Sequence, residues 1–182
     1  MDKKVFIRKR YFLRRKKKYF EITKEFFNPL IKKIKKNFKK KIYISLYYPT
    51  SHEINVLKLI DLEFSQKLNF LLPVITKNKS MVFCPWKKND LLYLNKFGIP
   101  EPKISKKIAP NIILVPLLVF DKNKNRIGYG RGFYDKYLKK YAKTKNFFLT
   151  VGVAFSFQKY GKIPVNNRDY KLDYIITEKG II

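Results

Sequence analysis

The sequence predicts an α/β fold in which helices cover a mostly parallel sheet. Two observations support this prediction. Apolar runs of strand length alternate with segments of helical periodicity, and a glycine-rich stretch lies between one such strand and one such helix. The length of 182 residues is enough to bury one core and short for two, so residues 1–182 are expected to form a single domain.

Three segments in the first part of the chain show helical periodicity. They lie at residues 8–20, 28–40 and 52–68. The second segment opens with Asn28, which suits a helix cap, and Pro29, which fits the first helical position. Ile31, Ile34 and Phe38 then share one face. The first two segments are therefore predicted to be basic amphipathic helices.

Six segments are predicted to be strands. They lie at residues 42–48, 69–75, 80–86, 111–120, 147–155 and 172–177. The first alternates apolar Ile42 and Ile44 with Tyr43 and Ser45, as a strand does. The fourth is a nearly unbroken apolar run that ends at a polar turn, which is typical of a buried strand. Ligands of such a sheet are expected outside the carboxyl ends of its strands.

The stretch "NRIGYGRGFYDKYL", residues 125–138, contains three of the chain's seven glycines, Gly128, Gly130 and Gly132. Such clustering indicates unusual backbone angles or the close approach of another group. The apolar residues after Gly132 have helical spacing, so the stretch connects a strand to a helix. Free backbone N–H groups and the positive end of the helix dipole then predict an anion site, most often for phosphate.

Arg126 and Arg131 flank this loop with guanidinium groups suited to phosphate oxygens. The Gly-x-Gly-x-Gly spacing matches neither the dinucleotide fingerprint nor the phosphate loop that ends in Gly-Lys-Ser/Thr. A tight turn without a ligand is therefore the alternative interpretation of the loop.

The charge balance is strongly basic, with 42 Lys and Arg against 13 Asp and Glu and a net charge of +29. Charge alone points to nucleic acid. Outside residues 14–18 and 32–41, however, the basic residues are spread through a chain rich in Lys, Asn, Ile, Phe and Tyr, which is typical of compositional bias. Weak, salt-sensitive binding is expected and a specific nucleic-acid partner is not. The alternative is a basic RNA-associated protein, which would interleave basic and aromatic residues on one exposed surface.

Three absences in the sequence bear on its location. No run of about 18 apolar residues predicts a membrane span, and no apolar segment of a signal peptide follows the basic start. The single Cys84 excludes an internal disulfide and a cysteine cluster for zinc, and it is expected to be a small buried side chain. The sequence therefore predicts a cytoplasmic protein without a membrane partner.

Residues 115–138, "VPLLVFDKNKNRIGYGRGFYDKYL", resemble the signature of the 5-formyltetrahydrofolate cyclo-ligases, also called 5,10-methenyltetrahydrofolate synthetases. Other stretches are similar to the family's remaining landmarks, in the family's order. They are "KRYFLR" at 9–14, "YYPTSHEI" at 47–54, "LLPVI" at 71–75, "GIPEP" at 98–102, "VGVAFSFQ" at 151–158 and "IPVNNRDYKLDYIITEKG" at 163–180. Leu117 and Val119 stand where the family commonly has Gly and Ala, and Arg168 where a His often precedes the aspartate, which affects local packing more than chemistry.

The resemblance implies a three-layer, Rossmann-like α/β domain that performs an ATP- and Mg²⁺-dependent ring closure. The formyl oxygen of 5-formyltetrahydrofolate takes the γ-phosphoryl group, the neighbouring folate nitrogen attacks the activated carbon, and phosphate leaves. The products are 5,10-methenyltetrahydrofolate, ADP and phosphate. The implied partners are ATP and the folate, including its polyglutamylated forms, and a monomer is expected. Another ATP-dependent ligase on the same fold is the second alternative.

The resemblance also implies site residues. The predicted ATP-binding residues are Arg10, Arg14, Arg126, Ile127, Gly128, Tyr129, Gly130, Arg131, Gly132, Phe133 and Tyr134. The predicted folate-binding residues are Tyr48, Glu53, Tyr129, Gly130, Arg131, Gly132 and Phe133. Arg131 and Tyr134 are the predicted catalytic residues.

Asp135 and Asp169 are the predicted metal ligands, since Mg²⁺ prefers carboxylate oxygens beside phosphates. Each has a structural alternative, because an acid in the first turn of a helix is favoured by the dipole and an aspartate in a loop commonly forms a turn or a cap. Glu53 has the alternative role of favouring a helix start. His52 and Trp86 are expected to be structural residues.

Overall fold

The secondary structure alternates strands with short connections and few helices. The computed structural model describes residues 3–37, 41–144 and 148–182. Within these residues the α-helices are α1 (Lys3–Lys18), α2 (Asn28–Asn37) and α3 (Phe133–Ala142). The strands are β1 (Ile42–Ser45), β2 (Leu68–Ile75), β3 (Met81–Pro85), β4 (Tyr93–Leu94), β5 (Pro100–Glu101), β6 (Ile112–Pro116), β7 (Val119–Phe120), β8 (Arg126–Ile127), β9 (Leu149–Val153), β10 (Tyr174–Thr177) and β11 (Gly180–Ile181). Short 3-10 helices lie at Lys24–Phe27, Val56–Asp61, Glu63–Lys67 and Ser156–Gln158.

A seven-stranded sheet in the order β11-β10-β9-β6-β1-β2-β3 forms the centre of the molecule. The five inner strands are parallel to one another, and the edge strands β3 and β11 run antiparallel to them. On β6, Ile112 and Leu114 point into the apolar cluster that contains α2, whereas Ile113 and Val115 point into the cluster that contains α3. Helices therefore cover both faces, and the predicted α/β fold with a mostly parallel sheet is confirmed.

The sheet brings two loops to the same edge. β1 and β6 are parallel neighbours, with Ile44 opposite Ile112, so their carboxyl ends lie side by side. The chain leaves β1 toward Glu53 and leaves β6 toward the β7–β8 hairpin and the glycine-rich loop. α1 packs across this hairpin, because Ile7 and Tyr11 share a buried cluster with Val119 and Ile127. This edge is where an α/β sheet commonly binds ligands.

The predicted helix at residues 52–68 is instead two successive 3-10 helices. Leu62 separates them with extended backbone, at φ −82° and ψ 140°. Val56 and Leu59 are fully buried and lie three residues apart, which is the repeat of a 3-10 helix. The apolar spacing therefore correctly predicted that Val56 and Leu59 face the core, but the predicted helix type was wrong.

Two hairpins also depart from the expected elements. β4 and β5 pair in a small separate sheet that the sequence did not indicate. The predicted strand at 111–120 is interrupted after Pro116, and Val119 and Phe120 pair with β8 instead of continuing β6. Phe38, with the rest of residues 38–40, and residue 147 lie outside the described residues. Among the described helices, none combines the length and apolar character needed to cross a bilayer.

Gly152 on β9 lies beneath the turn that follows β6. A Cβ atom at this position would lie 2.7 Å from Leu117 Cδ2 and 2.6 Å from Ile175 Cδ1. Leu117 itself is buried. The leucine that departs from the family pattern therefore fills the space that a side chain at position 152 would need.

Candidate functional site

The glycine-rich loop leads directly into the N-terminus of α3. Gly130 and Gly132 have φ values of 95° and 70°, in the left-handed region that favours glycine. Gly132 immediately precedes Phe133, the first residue of α3. The loop thus turns sharply so that the positive end of a ten-residue helix faces the sheet edge. The strand, loop and helix predicted from the sequence are confirmed.

Two guanidinium groups pack against the glycines of this loop. Arg8 Nε donates a hydrogen bond of 2.9 Å to the carbonyl of Gly128. A Cβ on Gly130 would lie 3.3 Å from Arg8 Cζ, and a Cβ on Gly128 would lie 2.9 Å from Arg126 Nη1. The glycines therefore allow two cations to approach the backbone closely, beside a helix N-terminus. This arrangement is suited to phosphate.

Arg126 also forms an ion pair with Asp135. Its Nη2 lies 2.8 Å from Asp135 Oδ1, and the two side chains are 5% and 22% exposed. The same Oδ1 accepts the backbone N–H of Tyr170 at 3.1 Å. Asp135 thus joins α3, β8 and the loop that carries Asp169.

Asp169 contacts the N-terminal helix. Its Oδ2 lies 2.5 Å from Lys4 Nζ and accepts the backbone N–H of Asn166 at 2.7 Å. The turn formed with Asn166 agrees with the structural alternative for this residue. Each predicted metal ligand is therefore paired with a cation, Asp135 with Arg126 and Asp169 with Lys4.

Asp135 and Asp169 would need further ligands to hold a metal ion. Within the described residues, no group of three His, Cys, Asp or Glu side chains is arranged to hold a metal. Asp135 uses Oδ1 and Asp169 uses Oδ2 for the contacts above, and in that part of the chain the second oxygen of each has no hydrogen-bond partner. One or two carboxylates with phosphate and water is a common Mg²⁺ ligand set, so these residues fit that ion.

Glu53 is a buried carboxylate, 6% exposed, at the carboxyl end of β1. Its Oε2 accepts the backbone N–H of Thr50 at 2.8 Å and the Thr50 hydroxyl at 3.2 Å. Its Oε1 accepts the hydroxyl of Tyr129 at 2.7 Å. The preceding residues Ser51 and His52 have φ values of 48° and 64°, which is a strained conformation for side chains other than glycine. Glu53 does not start a helix, since the first 3-10 helix begins at Val56.

Tyr129 connects this carboxylate to the glycine-rich loop. The residue is 40% exposed, but its hydroxyl lies at the inner end, where it donates to Glu53 and accepts a hydrogen bond from Arg15 Nη2. Burial and the charge of Glu53 raise the pKa of the Tyr129 hydroxyl. Tyr129 therefore stays protonated and acts as a donor to Glu53.

Arg15 is almost completely buried, at 1% exposed. Its Nη1 donates to the carbonyl of Leu117 at 3.2 Å, and its Nη2 donates to the carbonyl of Ser51 at 2.9 Å as well as to Tyr129. Arg15 was not among the residues predicted from the sequence. A signal was present, because Ile7, Tyr11 and Arg15 are spaced by four and share the buried face of α1.

Tyr134 contributes a second buried hydroxyl near Glu53. Burial, followed by the charge of Glu53, raises its pKa, and within the described residues its hydroxyl has no hydrogen-bond partner. Tyr47 is also buried beside Glu53 and donates its hydroxyl to the carbonyl of Ile54 at 3.1 Å. The Tyr134 hydroxyl therefore has hydrogen-bonding capacity left over for a water molecule or a ligand.

The remaining predicted residues lie at different depths. Arg131 is exposed, with its Cζ 3.7 Å from the centre of the Phe97 ring, and that ring lies 5.9 Å from the ring of Phe133. Ile127 is buried in the hairpin beneath the loop, and Tyr48 is partly buried after β1. The hairpin connecting β4 and β5 therefore contributes Phe97 to the site, and nothing in the sequence analysis indicated this.

Arg10 and Arg14 are the predicted phosphate ligands on α1, and within the described residues neither donates a hydrogen bond to the glycine-rich loop. Arg10 is exposed, and Arg14 lies 5.4 Å from the centre of the Tyr11 ring and donates to its hydroxyl at 3.3 Å. Arg8 and Arg15 occupy the positions near the glycines and Glu53 instead. Trp86 is a core residue, 6% exposed, and Cys84 is fully buried, as expected.

Comparison with known proteins identifies relatives of this chain. The chain is 33% identical over 149 residues to the 5-formyltetrahydrofolate cyclo-ligase of Haemophilus influenzae, covering 74% of each protein. It is 31% identical over 145 residues to the probable 5-formyltetrahydrofolate cyclo-ligase of Schizosaccharomyces pombe, covering 71% of each. The solved structure of Aquifex aeolicus 5,10-methenyltetrahydrofolate synthetase is similar, with a TM-score of 0.76, 29% identity, and coverage of 98% of this chain and 91% of that one.

The family model describing the 5-formyltetrahydrofolate cyclo-ligase family matches residues 1–178. This match includes α1, the Glu53 loop, the glycine-rich loop and the segment around Asp169. The chain therefore belongs to the 5-formyltetrahydrofolate cyclo-ligase family.

Proposed function

We propose that this chain converts 5-formyltetrahydrofolate to 5,10-methenyltetrahydrofolate at the expense of ATP, as a single domain over residues 1–182. The observation that carries the proposal is the hydrogen bond of 2.7 Å from Tyr129 to Glu53. It joins the loop proposed to bind the nucleotide to the carboxylate proposed to bind the folate. Two substrates bound at these residues would be neighbours, as transfer of a phosphoryl group between them requires.

The nucleotide phosphates bind at the N-terminus of α3 in this proposal. Backbone N–H groups of the glycine-rich loop and the helix dipole favour the anion, and Arg126 and Arg131 contribute positive charge. The contacts of Arg8 with Gly128 and Gly130 favour Arg8 over Arg10 and Arg14 as the cation supplied by α1. Mg²⁺ neutralises the phosphate charge when it is bound, and Asp135 and Asp169 are the carboxylates that would hold it.

The folate binds on the Glu53 side of the site in this proposal. Glu53 accepts a ring N–H group, and the partly buried Tyr48 and Phe133 offer apolar surface for the ring. The unpaired Tyr134 hydroxyl, near Glu53, is a hydrogen-bond donor that would meet a substrate oxygen. The exposed Arg131 is the cation proposed to face the transferring phosphoryl group.

The proposal extends to the setting of the reaction. We expect a cytoplasmic monomer with no specific nucleic-acid partner and no membrane partner, whose net charge of +29 gives only weak, salt-sensitive binding to polyanions.

The test is a direct assay of the ring closure. Purified protein mixed with 5-formyltetrahydrofolate and MgATP is expected to produce the absorbance of 5,10-methenyltetrahydrofolate together with ADP. Leaving out ATP, Mg²⁺ or the folate should each prevent product formation. Product without ATP, or no product from folded protein under any of these conditions, would contradict the proposal.

A further inference from the structure

We propose that Arg15 is a positioning residue, which holds Glu53 and Tyr129 in the arrangement that receives the folate. This inference rests on the proposed function, since it deepens the role of the same site. Arg15 acts on Glu53 by two routes, one through the Tyr129 hydroxyl and one through the carbonyl of Ser51.

Arg15 is a buried charged side chain. Its side chain lies on the face of α1 that Ile7 and Tyr11 bury, and within the described residues it forms no ion pair. A buried charge without a direct counter-ion contributes little to stability, because burial removes its hydration. An apolar side chain of similar volume would fill the same space without that cost. The hydrogen bonds from Arg15 to the Ser51 carbonyl and the Tyr129 hydroxyl explain why a cation occupies this position.

The route through Ser51 fixes the backbone that presents Glu53. Ser51 and His52 both have positive φ, a conformation that persists only where the surroundings enforce it. Arg15 Nη2 donates to the Ser51 carbonyl at 2.9 Å, two residues before Glu53. Arg15 is therefore one of the contacts that hold this strained turn.

The route through Tyr129 fixes the direction in which Glu53 can accept a ligand. A carboxylate has about four acceptor positions. Thr50 occupies two on Oε2, and Tyr129 occupies one on Oε1, so a single position on Oε1 faces an incoming ring N–H. Because Arg15 donates to the Tyr129 hydroxyl, that hydroxyl must direct its own proton to Glu53.

The third contact of Arg15 is with buried backbone just after β6. Its Nη1 donates to the carbonyl of Leu117, which also accepts from Gln158 Nε2 at 3.1 Å. Both Leu117 and Gln158 are buried. One guanidinium group thus links the end of β6, the Glu53 turn and the glycine-rich loop.

The experiment compares Arg15→Gln and Arg15→Lys with Lys16→Gln, an exposed neighbour on the same helix whose replacement removes the same charge. Arg15→Gln is expected to raise the KM for 5-formyltetrahydrofolate by roughly tenfold, the effect of losing a charged hydrogen bond, with the KM for ATP within about twofold. Arg15→Lys should give an intermediate value, because lysine supplies the charge but not the planar fork. Lys16→Gln should leave both constants unchanged.

Tyr129→Phe tests the same relay without altering the core. Its side chain is partly exposed, so the variant is expected to fold, and it should reproduce the folate-specific rise in KM. In protein labelled with ¹³C at tyrosine Cζ, the resonance missing from Tyr129→Phe identifies Tyr129 among the 13 tyrosines. That resonance should move in Arg15→Gln and stay in place in Lys16→Gln.

A folate KM within about twofold of wild type in a folded Arg15→Gln or Tyr129→Phe variant would overturn the proposal. An unmoved Tyr129 resonance in Arg15→Gln would also overturn it. If wild-type protein forms no product, the proposed function fails, and the resonance still decides whether Arg15 holds Tyr129. If Arg15→Gln does not fold, Tyr129→Phe carries the kinetic test alone.

Discussion

Arg126 and Asp135 form an ion pair across the base of the glycine-rich loop, with Nη2 2.8 Å from Oδ1. Arg126 lies in β8, the strand that enters the loop, and Asp135 lies in the first turn of α3, the helix that leaves it. The pair therefore closes the loop at its base. It also gives Asp135 a structural role that neither the helix dipole nor metal binding accounts for.

Replacement of Asp135 separates these roles. Asp135→Asn is expected to lower the free energy of unfolding by about 2 kcal/mol, because the Arg126 guanidinium loses a charged partner. If Asp135 also holds Mg²⁺, turnover should fall by at least roughly tenfold and recover partly as Mg²⁺ is raised. Chemical denaturation and a Mg²⁺ titration of turnover measure the two effects.

Arg126→Gln is the control for Asp135→Asn, since it breaks the same ion pair and keeps the carboxylate. It should lose similar stability without acquiring the same Mg²⁺ dependence. Normal turnover of Asp135→Asn at all Mg²⁺ concentrations would leave the aspartate with a structural role only, and Asp169 as the single predicted metal ligand.

Gly130→Val should abolish nucleotide binding while the fold persists. A branched side chain is strained at a φ of 95°, and its Cβ would press against the Arg8 guanidinium. Gly161→Val is the matched control, because Gly161 is exposed and a Cβ there meets no atom within 4 Å. ATP binding measured by calorimetry should be lost in the first variant and kept in the second. Equal ATP affinity in both would remove the phosphate-binding role of the loop.

Arg8→Gln is expected to weaken ATP binding by roughly tenfold, since it removes a cation that packs against Gly128 and Gly130. Arg10→Gln, which replaces one of the two arginines predicted from the sequence, should have a smaller effect, because Arg10 is exposed. Lys9→Gln controls for the loss of one positive charge on the same helix. A larger effect of Arg10→Gln than of Arg8→Gln would show that the sequence-based assignment was right.

The stability contribution of Glu53 should depend on pH. Burial raises the pKa of Glu53 above its ordinary value of 4.5, although the Tyr129 hydrogen bond, the charge of Arg15 and the contacts with Thr50 lower it. Below pH 4.5 the carboxyl is protonated in both the folded and the unfolded chain, so its contribution is fully present. As pH rises through the raised folded pKa, ionisation of the buried group costs free energy and the contribution is lost.

Wild-type protein should therefore lose stability relative to Glu53→Gln as pH rises from about 4.5 through the folded pKa. Urea unfolding of both proteins between about pH 4 and 8 measures the difference. Glu63→Gln, which replaces an exposed carboxylate, is the control for the change in net charge. A difference between wild type and Glu53→Gln that is independent of pH would mean that Glu53 has the same pKa in the folded and unfolded chain.

The main features of the fold could be predicted because they depend on burial. Strand-length apolar runs predicted six strands of the central sheet, and the clustered glycines predicted the turn into α3. The type of the segment at 52–68 could not be predicted, since Val56 and Leu59 suit a 3-10 helix as well as an α-helix. The short strands β4 and β5 were missed because each has only two residues.

Site residues that belong to one short stretch of sequence could be predicted. Site residues that are brought together by the packing of separate elements were harder to predict. The glycine-rich loop and Glu53 were found from short stretches of sequence, and the structure connects them through Tyr129. Of the arginines on α1, the resemblance to the family implied Arg10 and Arg14 as phosphate ligands. Which face points inward is set by the contact of Ile7 and Tyr11 with the β7–β8 hairpin, and this contact brings Arg8 and Arg15 into the site.

The packing of Leu117 against Gly152 has a consequence for how relatives of this chain can vary. The side chain of Leu117, in the turn after β6, and a Cβ at position 152 on β9 would occupy the same space, so the residue tolerated at one position depends on the residue at the other. In relatives with glycine at the first position, part of the clash with a Cβ at the second disappears, and Ile175 and Leu172 are the remaining constraints. Positions 117 and 152 should therefore covary within the family, and Gly152→Ala should be better tolerated in a chain that also carries Leu117→Gly.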